Sequence, residues 1–215
     1  MDDILLNLIV FAALAIVGGL VFVLVRQRQA QSRQEIIQMA AEKGWQIETL
    51  REPLRWGERL ISPGWRLEAT SRASGRELDS GSSDVAMQTV WSADQPGPTL
   101  LIGERSSQAN LGSLGGMLQQ QVLQLALGPD ANGLTEIRAG SAAFQQKYML
   151  WAQNPADVRL SPALESALLN WKGPQPLIQR TRKGLTIELR GIHLKKAREF
   201  QALVQLGEAT LAAIQ

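Results

Sequence analysis

The chain has 215 residues, 22 Lys and Arg against 20 Asp and Glu, a single histidine and no cysteine. The missing cysteines exclude disulfides, thiolate metal sites and a cysteine nucleophile. One histidine also leaves too few ligands for a histidine metal centre, so we expect no metal or other cofactor. The length fits one domain with a sizeable core or two small domains, of which we favour one.

The first predicted element is an apolar helix. Residues 4–25 carry no charge, and 16 of these 22 residues are Leu, Ile, Val or Phe. As a helix they would extend about 33 Å, close to the roughly 30 Å hydrocarbon core of a bilayer. A signal peptide is disfavoured because the chain starts Met1-Asp2-Asp3 instead of with basic residues. The sequence therefore predicts a transmembrane anchor over residues 1–28 and a single-pass membrane protein.

Basic residues on one side of this segment predict its orientation. Arg26, Arg28 and Arg33 follow the apolar run, and such residues favour the cytoplasmic side of a membrane. We expect a bacterial inner-membrane protein with its N-terminus outside and its C-terminal domain in the cytoplasm. Ala15 and Gly19, four residues apart, have the spacing that lets two helices approach closely and form a homodimer, although a span without such a contact is the favoured alternative.

A juxtamembrane helix is predicted over residues 29–44. Ser32 and Glu35 fit a capping box, and Lys43-Gly44 marks the helix end; either a new helix starts at Ser32 or the first helix continues. Alternating apolar and polar residues then predict strands that begin at Trp45 and Trp65, joined by a loop that contains Trp56. The polar residues 71–84 predict another loop.

Later segments complete a predicted soluble domain over residues 45–215. Strands are expected at 87–92, 99–103 and 147–152, and an uncharged helix at 113–127. Ser161-Pro162 and Gly173-Pro174 have the capping chemistry that starts and ends a helix. A hairpin around Lys183-Gly184 and a closing helix from Leu194 follow. About seven strands with short connections predict an α+β fold: a mainly antiparallel sheet with inserted helices and a C-terminal helix, behind the transmembrane helix.

One basic stretch in this domain is a candidate contact surface. Residues 176–200 hold seven basic against two acidic side chains. A lipid headgroup layer or a protein partner could bind there, whereas a solvated charged face is the slightly favoured alternative. Nucleic acid is the least favoured partner. The candidate contact residues are Arg180, Arg182, Lys183, Arg190, Lys195, Lys196 and Arg198.

Catalytic signatures are missing from the sequence. His193 could act as a general base, but no nucleophile motif points toward it. We therefore expect a non-catalytic, membrane-tethered cytoplasmic domain that binds a protein partner or the anionic membrane surface. The alternative is a membrane-anchored enzyme with a carboxylate-based or His193-assisted site.

The order of segments also resembles that of a known class of protein. An acidic start, one apolar span, a basic flank and a tryptophan-rich domain are together similar to uncharacterised bacterial single-pass inner-membrane proteins. This resemblance implies membrane residence and supplies no site residues.

Overall fold

Nine antiparallel strands form one sheet in the described part of the chain. The computed structural model describes residues 2–73, 85–105, 128–154, 156, 158 and 160–213, with only the backbone described for residues 2–16, 25, 29, 129 and 130. The sheet order is β1-β2-β3-β4-β9-β8-β5-β7-β6. The strands are β1 (Gln46–Glu52), β2 (Arg55–Ser62), β3 (Trp65–Ala73), β4 (Val85–Ala93), β5 (Leu100–Glu104), β6 (Thr135–Ile137), β7 (Tyr148–Ala152), β8 (Leu177–Thr181) and β9 (Gly184–Arg190).

Four α-helices accompany this sheet among the described residues, and a short 3-10 helix precedes β6. They are α1 (Asp2–Lys43), α2 (Ala142–Lys147), α3 (Pro162–Leu169) and α4 (Ala197–Ala213), with the 3-10 helix at Gly128–Ala131. The loop predicted at 71–84 is wrong for residues 71–73, which belong to β3. The rest of that loop and the helix predicted at 113–127 lie outside the described residues.

The predicted transmembrane anchor is the part of the fold class that the structure contradicts. Among the described residues, no helix combines the length and the apolar character that a membrane span requires. The single-pass membrane assignment is therefore withdrawn, while the antiparallel sheet is observed.

A row of apolar side chains crosses the whole sheet and forms the floor of the core. Each residue in this row is the direct cross-strand partner of the next, so one residue from every strand lies on the same face. From edge to edge the row consists of Ile47, Leu60, Leu67, Trp91, Ile187, Ile178, Ile102, Leu150 and Ile137. The seven inner members are at most 2 % exposed, so helices cover this face of the sheet.

The helices cover the row with residues at helical spacing. In α1, Ile36, Met39 and Ala40 are buried, and α4 buries Phe200 together with five further residues. The end of α1 agrees with its predicted stop, because Gly44 adopts a φ of 69° and its N–H bonds the Ala41 carbonyl oxygen. The helix does not restart at Ser32, so α1 is continuous through the predicted capping box.

Strand β2 replaces the predicted loop around Trp56. The two flanking prolines and Gly57 concealed its alternation, because glycine has no side chain to mark a face. A Cβ atom at Gly57 would overlap the Ala69 carbonyl group of β3, so glycine is what lets these two strands pair closely. Helix α3 confirms its predicted start, with Ser161 as N-cap and Pro162 at the first position, but it ends at Leu169, earlier than predicted.

A tight contact between α4 and the sheet gives a first testable prediction. A Cβ atom at Gly207 would overlap the indole ring of the buried Trp91. Alanine normally favours a helix over glycine by about 1 kcal/mol, but here we expect Gly207→Ala to destabilise the fold by about 1–3 kcal/mol because the helix must move off the sheet. Urea unfolding would measure it. The exposed Gln205→Ala in the same helix is the control, and a stabilised Gly207→Ala would contradict this packing.

Tyr148 ties β7 to the end of α3. Its hydroxyl oxygen lies 2.9 Å from the Leu168 carbonyl oxygen and 2.9 Å from Gln175 Oε1, and the residue is 1 % exposed. Burial raises the pKa of Tyr148 to about 12, and the charge of Glu104 acts in the same direction. The neutral phenol is therefore the form that the folded state favours.

We expect alkaline pH to remove this stabilisation. It is fully present below the unfolded-state pKa of 10.0 and is lost as pH rises through about 12, and two pKa units correspond to about 3 kcal/mol. Because Tyr148 is the single tyrosine in the chain, the tyrosinate absorbance reports its titration directly. A midpoint near that of free tyrosine would contradict the prediction. Tyr148→Phe should lose less stability over the same pH range.

Candidate functional site

The seven predicted contact residues fall into separate groups along β8 and β9. Arg182 and Lys183 form the exposed turn between these strands. Arg190 is at the other end of β9, about 20 Å away for a strand of this length. Lys195, Lys196 and Arg198 follow at the start of α4 and are exposed. The predicted stretch is therefore not one continuous surface.

The guanidinium group of Arg180 is directed at the loop after β4 and not at solvent. Its Nη2 atom donates to the Pro96 carbonyl oxygen at 3.3 Å, and a Cβ atom at Gly97 would overlap the guanidinium group. Burial lowers the pKa of Arg180 below its usual value, although a guanidinium stays protonated at neutral pH. Arg180 thus fastens the loop after β4 to β8, and its charge is less accessible to a partner than those of its neighbours.

The start of α4 lies against α1, which brings a second set of basic residues to the same place. Ser32 Oγ contacts the Lys195 carbonyl oxygen, and Arg28 precedes Ser32 by one helical turn on the same face of α1. Arg33 lies beside Ser32 and donates to Thr49 Oγ1 at 2.7 Å. We name Arg28, Arg33, Lys195, Lys196 and Arg198 the α1–α4 basic patch. It combines residues more than 160 positions apart in the chain.

The carboxylate nearest to the α4 part of the patch is already engaged. Glu199 accepts from the backbone N–H groups of Lys195 and Lys196 at 3.2 Å and lies 3.8 Å from Lys196 Nζ. That carboxylate is thus held at the start of α4, where a negative charge stabilises a helix. Within the described residues, the other four members of the patch form no ion pair with a carboxylate. A positive surface remains available to an anionic partner.

His193 belongs to a separate, largely buried polar cluster. Its Nδ1 atom is 2.7 Å from Ser71 Oγ, and its Nε2 atom is 3.5 Å from Glu58 Oε2. Trp56 and Met87 flank Ser71 in the sheet. No short sequence pattern predicts these contacts, because Glu58, Ser71 and His193 come from three different segments of the chain. The chain of contacts from Glu58 to His193 to Ser71 resembles that of a catalytic triad. Whether it could catalyse acyl transfer depends on the surrounding backbone.

The backbone near Ser71 does not offer the groups that acyl transfer requires. A serine nucleophile needs free N–H donors directed at the developing oxyanion. Ser71 is inside β3, and its neighbours Thr70 and Arg72 are paired with β2 on one side and β4 on the other. The backbone groups around Ser71 are therefore engaged in hydrogen bonds with the neighbouring strands. Ser71 is also only 5 % exposed, which restricts substrate access.

The same cluster holds the linker between β9 and α4. Thr89 Oγ1 donates to the Ile192 carbonyl oxygen at 2.9 Å and accepts from the Leu194 N–H at 3.3 Å. With the contacts of His193, residues 192–194 are fixed across β2, β3 and β4. This linker leads directly into Lys195 and Lys196, so the cluster positions one half of the α1–α4 basic patch.

No protein-family model, curated protein or solved structure matches the chain. Within the residues that the structure describes, no group of three or more His, Asp and Glu side chains is arranged to hold a metal ion. Inferences about function therefore depend on the surface and the clusters described above.

The His193 cluster predicts energetic coupling between two distant positions. Ser71→Ala and His193→Gln should each destabilise the fold by about 1 kcal/mol, because each removes one partner of a buried hydrogen bond. The double variant should cost less than the sum by about 0.5–1 kcal/mol, because both substitutions remove the same hydrogen bond. Denaturant unfolding of the four proteins measures this difference. Ser71→Ala combined with Ser166→Ala, on the exposed face of α3, should be additive. Additivity of the first pair would contradict the contact.

Proposed function

We propose that this protein is a non-catalytic binding domain that attaches to anionic lipid headgroups through the α1–α4 basic patch. The observation that carries the proposal is the contact of Ser32 with Lys195, which joins the basic residues of α1 to those at the start of α4. A phosphate-bearing surface attracts such a patch, and each basic residue near it contributes about 1 kcal/mol.

Exposed apolar side chains beside the patch support a lipid surface over a soluble anion. Val17, Leu20, Val21, Phe22, Val23 and Leu24 are 53–64 % exposed in α1, directly before Arg26 and Arg28. Apolar residues adjoining basic ones are typical of segments that bind at the interface of a membrane, where headgroups meet acyl chains. The proposal concerns attachment to that surface.

The architecture of the domain supports a binding role. The sheet and its covering helices hold the start of α4 rigidly against α1, and the buried His193 cluster fixes the preceding linker. The polar cluster most similar to an active site has its backbone groups engaged in strand pairing. These features favour a scaffold that presents charge over one that performs chemistry.

Vesicle sedimentation with the full chain tests this function. We expect binding to vesicles that contain phosphatidylglycerol, weaker binding to phosphatidylcholine alone, and a decline as salt rises because the Debye length shortens. Lys195→Gln/Lys196→Gln should weaken binding to anionic vesicles by roughly tenfold, since two contacts of about 1 kcal/mol each are partly screened.

The matched control removes the same charge elsewhere. Arg182→Gln/Lys183→Gln lowers the net charge equally but changes the turn at the far end of β9, and it should bind as the unchanged protein does. Equal losses in both double variants would show that only net charge matters and would contradict the assignment to the patch. Binding to neutral vesicles that equals binding to anionic ones would also contradict it.

A further inference from the structure

Four exposed apolar side chains lie together at one end of the sheet. Trp56 and Met87 are the two cross-strand partners of Ser71, and Val85 is the partner of Ala73. The Ala73 N–H donates to the carbonyl oxygen of Leu54 at 3.0 Å, which brings Leu54 to the same end. We name these four residues the sheet-end patch: Leu54 (49 % exposed), Trp56 (43 %), Val85 (36 %) and Met87 (41 %).

The sheet-end patch continues the core face of the sheet beyond the buried part. Trp56 is four residues from Leu60, and Met87 is four residues from Trp91, so alternation along each strand places them on one face. Leu60 and Trp91 are 0 % exposed, whereas Trp56 and Met87, about 14 Å farther along their strands, are accessible. Among the described residues, this end of the core face therefore presents apolar atoms to solvent.

The α1 half of the basic patch adjoins this apolar surface through β1. Arg33 donates to Thr49 Oγ1 at 2.7 Å, and Thr49 is two residues before Arg51 in the same strand. Arg51 is the cross-strand partner of Trp56. Two residues along a strand are about 7 Å apart and point to the same face. Arg33 and Arg51 therefore lie on the β1 side of Trp56.

The α4 half of the basic patch adjoins the same surface through the linker after β9. His193 Nδ1 lies 2.7 Å from Ser71 Oγ, and Ser71 is the residue between Trp56 and Met87 in the cross-strand row. Lys195 is only two residues after His193. Basic residues from both halves thus border the sheet-end patch.

The charges around the sheet-end patch favour an anionic partner. Among the residues of β1–β4 that point to this face, Glu58 is the single acidic one, and its Oε2 atom lies 3.5 Å from His193 Nε2. Arg51 is exposed on the same face. A second copy of the chain would bring the same cations to the contact, whereas anionic headgroups would compensate them.

We propose that the sheet-end patch inserts into a lipid surface at the boundary between headgroups and acyl chains, with Trp56 as its main anchor. Tryptophan favours this boundary because its ring is apolar and its indole N–H is polar. The headgroups contact Arg33, Arg51 and Lys195 at the rim while the apolar side chains enter the layer beneath. This contact adds an apolar component to the attachment proposed above, on which it depends.

Quenching of tryptophan fluorescence by brominated lipids tests this insertion. The full chain is mixed with phosphatidylglycerol vesicles that also contain phosphatidylcholine brominated near either the headgroup end or the far end of an acyl chain. We expect stronger quenching by the first lipid and loss of most of it in Trp56→Phe, because the other five tryptophans are buried or half-buried. Trp151→Phe is the matched control, since Trp151 follows the core residue Leu150 and points to the opposite face, and its quenching should equal that of the unchanged protein.

Vesicle sedimentation separates the apolar contact from the charged one. Leu54→Gln/Met87→Gln keeps two long side chains but removes apolar surface, and it should weaken binding to anionic vesicles by about tenfold. The factor should be the same at low and high salt, because salt does not screen an apolar contact. The effect of Lys195→Gln/Lys196→Gln should instead shrink as salt rises.

The outcomes distinguish this contact from the attachment itself. Binding to anionic vesicles without quenching, or quenching that Trp56→Phe leaves unchanged, would overturn the insertion and leave the α1–α4 basic patch as the binding surface. Absence of vesicle binding would overturn both. Light scattering in the absence of lipid tests the remaining occupant: a dimer that Leu54→Gln/Met87→Gln dissociates would assign the sheet-end patch to a second copy of the chain and would also overturn the insertion.

Discussion

The row of apolar side chains across all nine strands is the interaction on which the rest of the structure depends. It joins a meander of four strands to a hairpin and then to three short strands, and it gives the helices a single continuous surface to cover. Trp91, the fourth of the nine residues in this row, packs under Gly207 of α4. Close packing of this kind fixes the position of α4 relative to the sheet, because interiors tolerate little overlap and few voids.

The position of the α1–α4 basic patch follows from that arrangement. One end of the sheet carries the linker that His193 and Thr89 fix, and this linker delivers the start of α4 to the side of α1. The other end carries the exposed β8–β9 turn with Arg182 and Lys183. Removing charge from either end leaves the core untouched, so binding by the α1–α4 basic patch can be compared with a charge-matched control in a folded protein.

The polar cluster of Ser71, His193 and Glu58 shows that residue types alone do not define a site. Its contacts resemble those of a hydrolase, yet the strand pairing around Ser71 occupies the backbone donors that catalysis would need. In this fold the cluster works as a tie between β3 and the segment before α4. Buried polar groups generally require such partners, since an unpaired one costs about 1–3 kcal/mol. The hydrogen bonds of the cluster are thus a consequence of burying the linker.

The sequence by itself determined the local elements whose signals are short in range. Capping at Ser161, the stop at Gly44 and the hairpin before α4 were all predicted, because each depends on neighbouring residues. The sequence-based prediction was wrong at β2, where glycine hides the alternation, and at the N-terminus, where composition alone predicted a membrane span. Only the tertiary structure brought Ser32 to Lys195, Ser71 to His193 and Arg66 to Ser92. Such contacts depend on strand order and register, which are set by packing across the entire sheet.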